Sequence, residues 1–220
     1  MQEYLKPTYF IDCDHPEVVA HAKRVVEGAT GMLQAAVRLF YAVRDGIRYN
    51  PYSMSGQKED FQAHGVLKKG EAFCVPKAIL LCALARASGI PAALGFADVR
   101  NHLTSKRLTE TLGTDIFVFH GYTMLYLQGR WLKATPTFNK ELCQKAGVKP
   151  LDFDGTCDAV FHPFDREGRR HMEYLRDRGM FADFPYELWL DETVKAYPFM
   201  ASATQEGLAG NFEDEVAPSA

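Results

Sequence analysis

A cysteine opening an apolar stretch and a histidine inside a strand-like run are the two side chains here whose surroundings suit a shared reaction. Cys74 stands at the start of FCVPKAILLCALARAS, residues 73–88. A thiol in the first turn of a helix meets unpaired N–H groups and the positive end of the helix dipole. Both stabilise the thiolate, the nucleophilic form in acyl transfer. The plain alternative is a small core cysteine, the reading that suits Cys82 further along the same stretch. His120 lies in FVFHGYTMLYL, with Gly121 directly after it. An imidazole there can take a proton from a thiol and hand it to a leaving amine. It can equally be a hydrogen-bonded core residue. Gly121 leaves room for a neighbouring chain or a substrate to approach the strand.

These two residues need a scaffold, and the local signals describe one. Residues 73–88 are apolar nearly all round, which places that helix in the middle of a domain. Pro76 fits its first turn, Gly89 follows its end and Pro91 blocks continuation. Strand-like runs cover 92–99, 116–127 and 130–135, the last two joined by Gln128-Gly129 as a two-residue hairpin loop. Counting outward from that loop puts Leu127 opposite Arg130, and Thr135, Thr137 and Asn139 on the face of His120. Pro136 cannot donate to a ladder, so Thr135 is favoured over Asn139 as a neighbour of the ring.

Upstream, 16–27 has helical spacing with Asp14 as cap and Gly28 as stop, and 30–45 forms a second helix. Residues 47–49 read as extended, and 52–70 as loop with at most a short turn of helix. The connection 100–115 is polar. A further helix is expected over 165–178, closed by Gly179. From about 201 the chain turns small and acidic and reads as a mobile tail.

At 220 residues, 47% hydrophobic and 24% charged, the chain suits one soluble domain over 1–200, with a core at 36–139 and an extension at 140–200. A net charge of -3 gives no reason to expect a nucleic-acid partner. No apolar run is long enough to span a bilayer, and no secretory leader is visible, so the expected compartment is cytoplasmic. Five scattered cysteines argue against a disulfide framework. With no CxxC, HxxxH or HExxH spacing, neither a metal nor a cofactor is expected. LDFDGTCD looks like a calcium loop, but the twelfth position from Asp152 is Pro163 rather than Glu. His102 reads as a solvated loop residue.

The block GEAFCVPKAILLCALARASGIPAALGF resembles the cysteine, helix, Gly-Ile-Pro and strand of transglutaminase-like proteins, bacterial members included. FHGYTMLYLQGRWLKATPTFN is similar to their histidine strand, hairpin and Pro-Thr segment, and YAVRDGIRYN to their lead-in. The resemblance implies an α+β, papain-like core in which a buried helix with Cys at its N-terminus packs on an antiparallel sheet. It implies Cys74 as nucleophile and His120 as general base and acid, with no cofactor and a peptide or small amide as substrate.

One position departs from the pattern. The family's third residue is an Asp just before the Pro-Thr pair, and here it is Thr135. Losing that carboxylate costs a serine enzyme about 10⁴ in rate. A Cys–His pair can ionise by itself and so depends on it less. Three readings stay open: Thr135 orients the ring as a neutral acceptor, Asn139 or Asp115 takes over, or the chain is a binding module without catalysis. Hydrolysis as a cysteine peptidase or amidase, and transfer to an amine, are equally compatible with the sequence.

Overall fold

The structure is a computed structural model that describes residues 1–102, 104–202, 208 and 210–216. The N-terminal third is helical. α1 (Pro16–Val26) begins with Pro at its first position and is capped by the His15 ring, which accepts from Glu17 N–H at 3.3 Å. The cap expected at Asp14 is therefore one residue later. α2 (Met32–Gly46) buries Ala36, Leu39, Phe40 and Val43. A short strand, β1 (Arg48–Tyr49), follows it.

Residues 52–70 carry more helix than their polar, Gly-containing sequence suggested: a 3-10 turn, Lys58–Phe61, and then α3 (Ala63–Lys69). Tertiary burial explains the difference. Phe61 and Ala63 are fully covered, Ala63 N–H bonds Phe10 O at 3.1 Å, and Gly70 closes α3 in the left-handed region. β2 (Glu71–Ala72) then pairs in parallel with β1.

α4 (Cys74–Ala87) runs through the centre, with every residue from Val75 to Arg86 buried. Its two internal cations are used as ties. Lys77 Nζ donates to Ile47 O and, at 3.0 Å, to Arg44 O, capping the end of α2. Burial pushes the Lys77 amine down to about 7. Arg86 reaches Ala92 O with Nε at 3.0 Å and Nη2 at 2.9 Å, fixing the turn where Gly89 has positive φ.

Beyond that turn come β3 (Ala92–Asn101), α5 (Lys106–Leu112), β4 (Ile116–Leu127), β5 (Arg130–Ala134), α6 (Lys140–Lys145), β6 (Met172–Phe181), α7 (Tyr186–Ala196) and α8 (Pro198–Ser202). The sheet order is β5-β4-β3-β6, all antiparallel. In the β4–β5 hairpin Leu127 pairs with Arg130, and Gln128 and Gly129 both have positive φ, as the expected two-residue turn requires. The architecture is thus α+β, with the buried helix lying on an antiparallel sheet.

Two further segments differ from expectation. α5 occupies the connection at 100–115, anchored by Leu108 and Leu112. The helix expected over 165–178 is instead a tight turn followed by strand β6. In the turn, Asp165 accepts from Glu167 and Arg169 N–H at 2.9 and 2.8 Å. β3 lies inside the sheet and its backbone needs partners along both edges, and β6 supplies the second set. That demand outweighs the weak helical preference of a charged segment.

Of the stretch expected to be a mobile tail, residues 203–207, 209 and 217–220 lie outside the described residues. Among the others, Phe212 is buried against Tyr49, and Glu215 bonds Tyr52, Ser105 and Arg107. No helix of the described residues is long and apolar enough to cross a membrane.

Candidate functional site

Cys74 is the first residue of α4, entered from extended backbone at Phe73 with no side-chain cap. The sulfur instead lies near backbone N–H groups. The N–H groups of Cys74 and Val75 on α4 and of Gly121 on β4 all act on it and favour the thiolate. Burial acts the other way and wins, raising the thiol to about 11. On that balance Cys74 rests as a neutral thiol.

Gly121 is what allows this contact. A Cβ added there would stand 3.0 Å from Val75 Cα and 3.2 Å from its Cγ2, so any larger residue would force the first turn of α4 to give by a few tenths of an ångström. One turn further along, Thr123 Oγ1 donates to Ala78 O at 2.8 Å and pins the same two elements together. The donor from β4 belongs to the peptide unit that joins His120 to Gly121. The sequence-predicted cysteine and the histidine strand are therefore brought into contact.

The His120 ring is buried beside Phe161, with centroids 5.0 Å apart. Its Nε2 has no hydrogen-bond partner. Burial lowers the imidazole to about 3, so it too rests neutral. Thr135 is 1% exposed, and its Oγ1 has only the Tyr174 hydroxyl beside it, short of full hydrogen-bond geometry, while that of Thr137 has no partner. The β4–β5 ladder stops at Thr123 opposite Ala134; Thr135 N–H turns instead to Ala159 O at 3.0 Å. The Tyr174 hydroxyl lies beside Thr135 and accepts from Phe161 N–H at 3.3 Å. Phe161 is thus a common neighbour: it touches His120 and, with Thr135, His162 and His171, lines a cavity of about 10 Å³.

The other orienters considered from sequence are engaged elsewhere. Asn139 accepts from Tyr49 N–H at 3.2 Å and donates to Glu141 at 3.2 Å. Asp115 pairs with Arg100 at 3.3 Å, near the surface. His102 is not simply solvated. Its Nε2 lies 3.3 Å from Glu173, and it lines a surface groove of about 420 Å³ together with Phe161, Phe164, Arg170 and Tyr174. Phe161 and Tyr174 escaped sequence reasoning because nothing local marks them: they come from the extension and reach the site only through the sheet. The described residues hold no group of three or more His, Cys, Asp or Glu able to bind a metal ion.

Comparison with known proteins adds the following. The family described as the transglutaminase-like superfamily matches residues 19–136. No curated protein matches significantly. Among solved structures, a proposed cysteine protease from Cytophaga hutchinsonii is 15% identical with a TM-score of 0.48, covering 80% of this chain and 52% of its own. A proposed protease from Parabacteroides distasonis is 13% identical with a TM-score of 0.40, covering 63% of this chain and 27% of its own. The chain thus spans about half the length of the first and about a quarter of the second.

Proposed function

Because the chain belongs to the transglutaminase-like superfamily, we propose that it is a thiol-dependent enzyme that cleaves or transfers amide-linked acyl groups. In this reading Cys74 is the nucleophile, His120 the general base and acid, and Thr135 stands in the place of the usual Asp. The observation that carries it is the seat of the sulfur, at a helix N-terminus and against the N–H that follows His120.

The chemistry starts from two neutral groups. As the Cys74 thiol attacks the amide carbonyl, its proton passes to His120, so charge develops only in the presence of substrate. Backbone N–H groups of Cys74, Val75 and Gly121 are the donors available to sulfur and to the developing oxyanion. His120 then protonates the leaving amine, and a thioester remains on Cys74. Water as acceptor gives a peptidase or amidase, and an amine gives a new amide. A peptide or small amide would approach along the groove that Phe161 lines, the same residue that packs on the His120 ring.

The test is to incubate the protein with a peptide library and look for an acyl adduct on Cys74 by mass spectrometry, with hydroxylamine as the releasing agent. An adduct on Cys74, absent in Cys74→Ala, is the expected result. No adduct together with unchanged turnover in Cys74→Ala would overturn the reading. The unpartnered Nε2 of His120, with a Thr rather than an Asp at position 135, favours a second reading, a binding module that keeps the fold. That module would bind peptide with no adduct and no cleavage.

A further inference from the structure

β4 is not regular on its way to His120. The pairing with β3 runs to Ala97 opposite His120 and resumes at Val99 opposite Phe117, so Val118 and Phe119 together face Asp98. This is a β-bulge. Phe119 sits at φ 53, a conformation a bulky aromatic residue rarely adopts and keeps only where its surroundings enforce it. The bulge frees two N–H groups from the ladder, and each finds a side chain. Val118 N–H donates to Tyr197 Oη at 2.7 Å, and Phe119 N–H to Asp98 Oδ1 at 3.0 Å.

Both acceptors are themselves held. Asp98 Oδ1 also receives Arg178 Nε at 2.6 Å, and Arg178 Nη1 pairs with Glu192 at 3.0 Å. The same guanidinium lies over the Phe119 ring, 4.3 Å from its centroid. Arg178 is on β6, Glu192 on α7, and Tyr197 follows α7. Every part of the clamp except Asp98 comes from the extension at 140–200, for which the sequence offers no role.

We propose that Asp98 and Tyr197 are positioning residues for His120: by holding the bulge that ends one residue before it, they set the direction in which the imidazole leaves the strand. This rests on the reading of His120 as the base for Cys74, but its first test does not. The first measurement is the ring-nitrogen NMR spectrum of ¹⁵N-histidine-labelled full-length protein, with His120 assigned by its loss in His120→Gln. Tyr197→Phe and Asp98→Ala are expected to displace the His120 signals, while Asp98→Asn, which keeps an acceptor for Phe119 N–H, stays close to the unsubstituted protein.

The second measurement is the rate of Cys74 alkylation by iodoacetamide across pH. It should change by about 10-fold or more in Tyr197→Phe and Asp98→Ala and recover in Asp98→Asn, the scale expected when a reacting pair is misplaced by a fraction of an ångström. If Asp98→Ala does not fold, Tyr197→Phe, which removes a single oxygen, decides alone. Unmoved His120 signals in a folded Tyr197→Phe would overturn the proposal. Moved signals with an unchanged Cys74 profile would overturn its link to the thiol, leaving the bulge a structural feature only. Turnover surviving in Cys74→Ala would instead defeat the functional reading and leave the NMR result standing.

Discussion

Around Cys74 the polar groups that favour the thiolate are backbone N–H groups, at the start of α4 and on the strand it touches. Around His120 the recorded neighbour is the apolar ring of Phe161, and Nε2, like the nearby Thr137 Oγ1, makes no hydrogen bond. The sulfur side is therefore complete as soon as the helix docks on β4. The imidazole side depends on distant residues that must each arrive with the right atom. This contrast teaches where the site tolerates change. Backbone donors survive almost any substitution that preserves the packing, whereas a side-chain orienter is lost or gained in one step, as the Thr at 135 illustrates.

Four experiments break or sharpen this contrast, from the largest expected effect downward. His120→Ala should lower amide turnover by about 10²–10⁴-fold, and also lower the melting temperature, because it leaves a cavity where the buried ring packs on Phe161. Steady-state kinetics beside a melting curve checks both parts. Thr135→Asp places a carboxylate on the face of the ring, where it should lift the imidazole from about 3 and raise Cys74 alkylation at pH 6 by about tenfold or more. An unaltered alkylation rate would show that position 135 does not reach the ring.

The sulfur side has its own test in Lys77, which ties the first turns of α4 to the end of α2. Its amine falls from 10.5 to about 7 on burial, so between those values the unfolded chain holds more protons than the folded one. Stability from this group therefore rises with pH across that window and is lost as pH falls towards 7. Lys77→Met should flatten the rise, read as denaturant midpoints at pH 7 and pH 8.5, below the range where the buried Cys82 and Cys143 thiols, raised to about 12, act in the opposite direction. The smallest effect is at Asn139. Replacing it with Ala should cost about 1 kcal/mol of stability, from the acceptor that Tyr49 N–H loses, and leave turnover within about twofold. A large loss of turnover at full stability would put Asn139 back beside His120.

Much of the scaffold was legible because its signals are local. Pro76 and Gly89 mark the ends of α4, and Gln128-Gly129 sets the hairpin and with it the register from Leu127 opposite Arg130 to Thr123 opposite Ala134. The strand expected over 116–127 is observed at those bounds. The failures lie where tertiary demand decides. Nothing in the charged run at 165–178 states that β3 needs a second neighbour, and nothing in the polar stretch at 52–70 states that Phe61 and Ala63 will be covered. The bulge at Phe119 is likewise invisible, since no glycine announces its positive φ.

From sequence alone came the candidate groups and the elements that carry them: a thiol at the mouth of a buried helix, an imidazole in a strand, and a hydroxyl where the family resemblance expects a carboxylate. Periodicity and turn chemistry act over a few residues, and these features need no more than that. Only the tertiary structure decided the state of those groups. Whether Cys74 and His120 rest charged or neutral depends on how much water is removed around them, and that is set by Phe161, Tyr174, Tyr197 and α4 itself arriving from remote parts of the chain. Helix geometry favours the thiolate, burial opposes it more strongly, and the balance can be read only once the walls are in place.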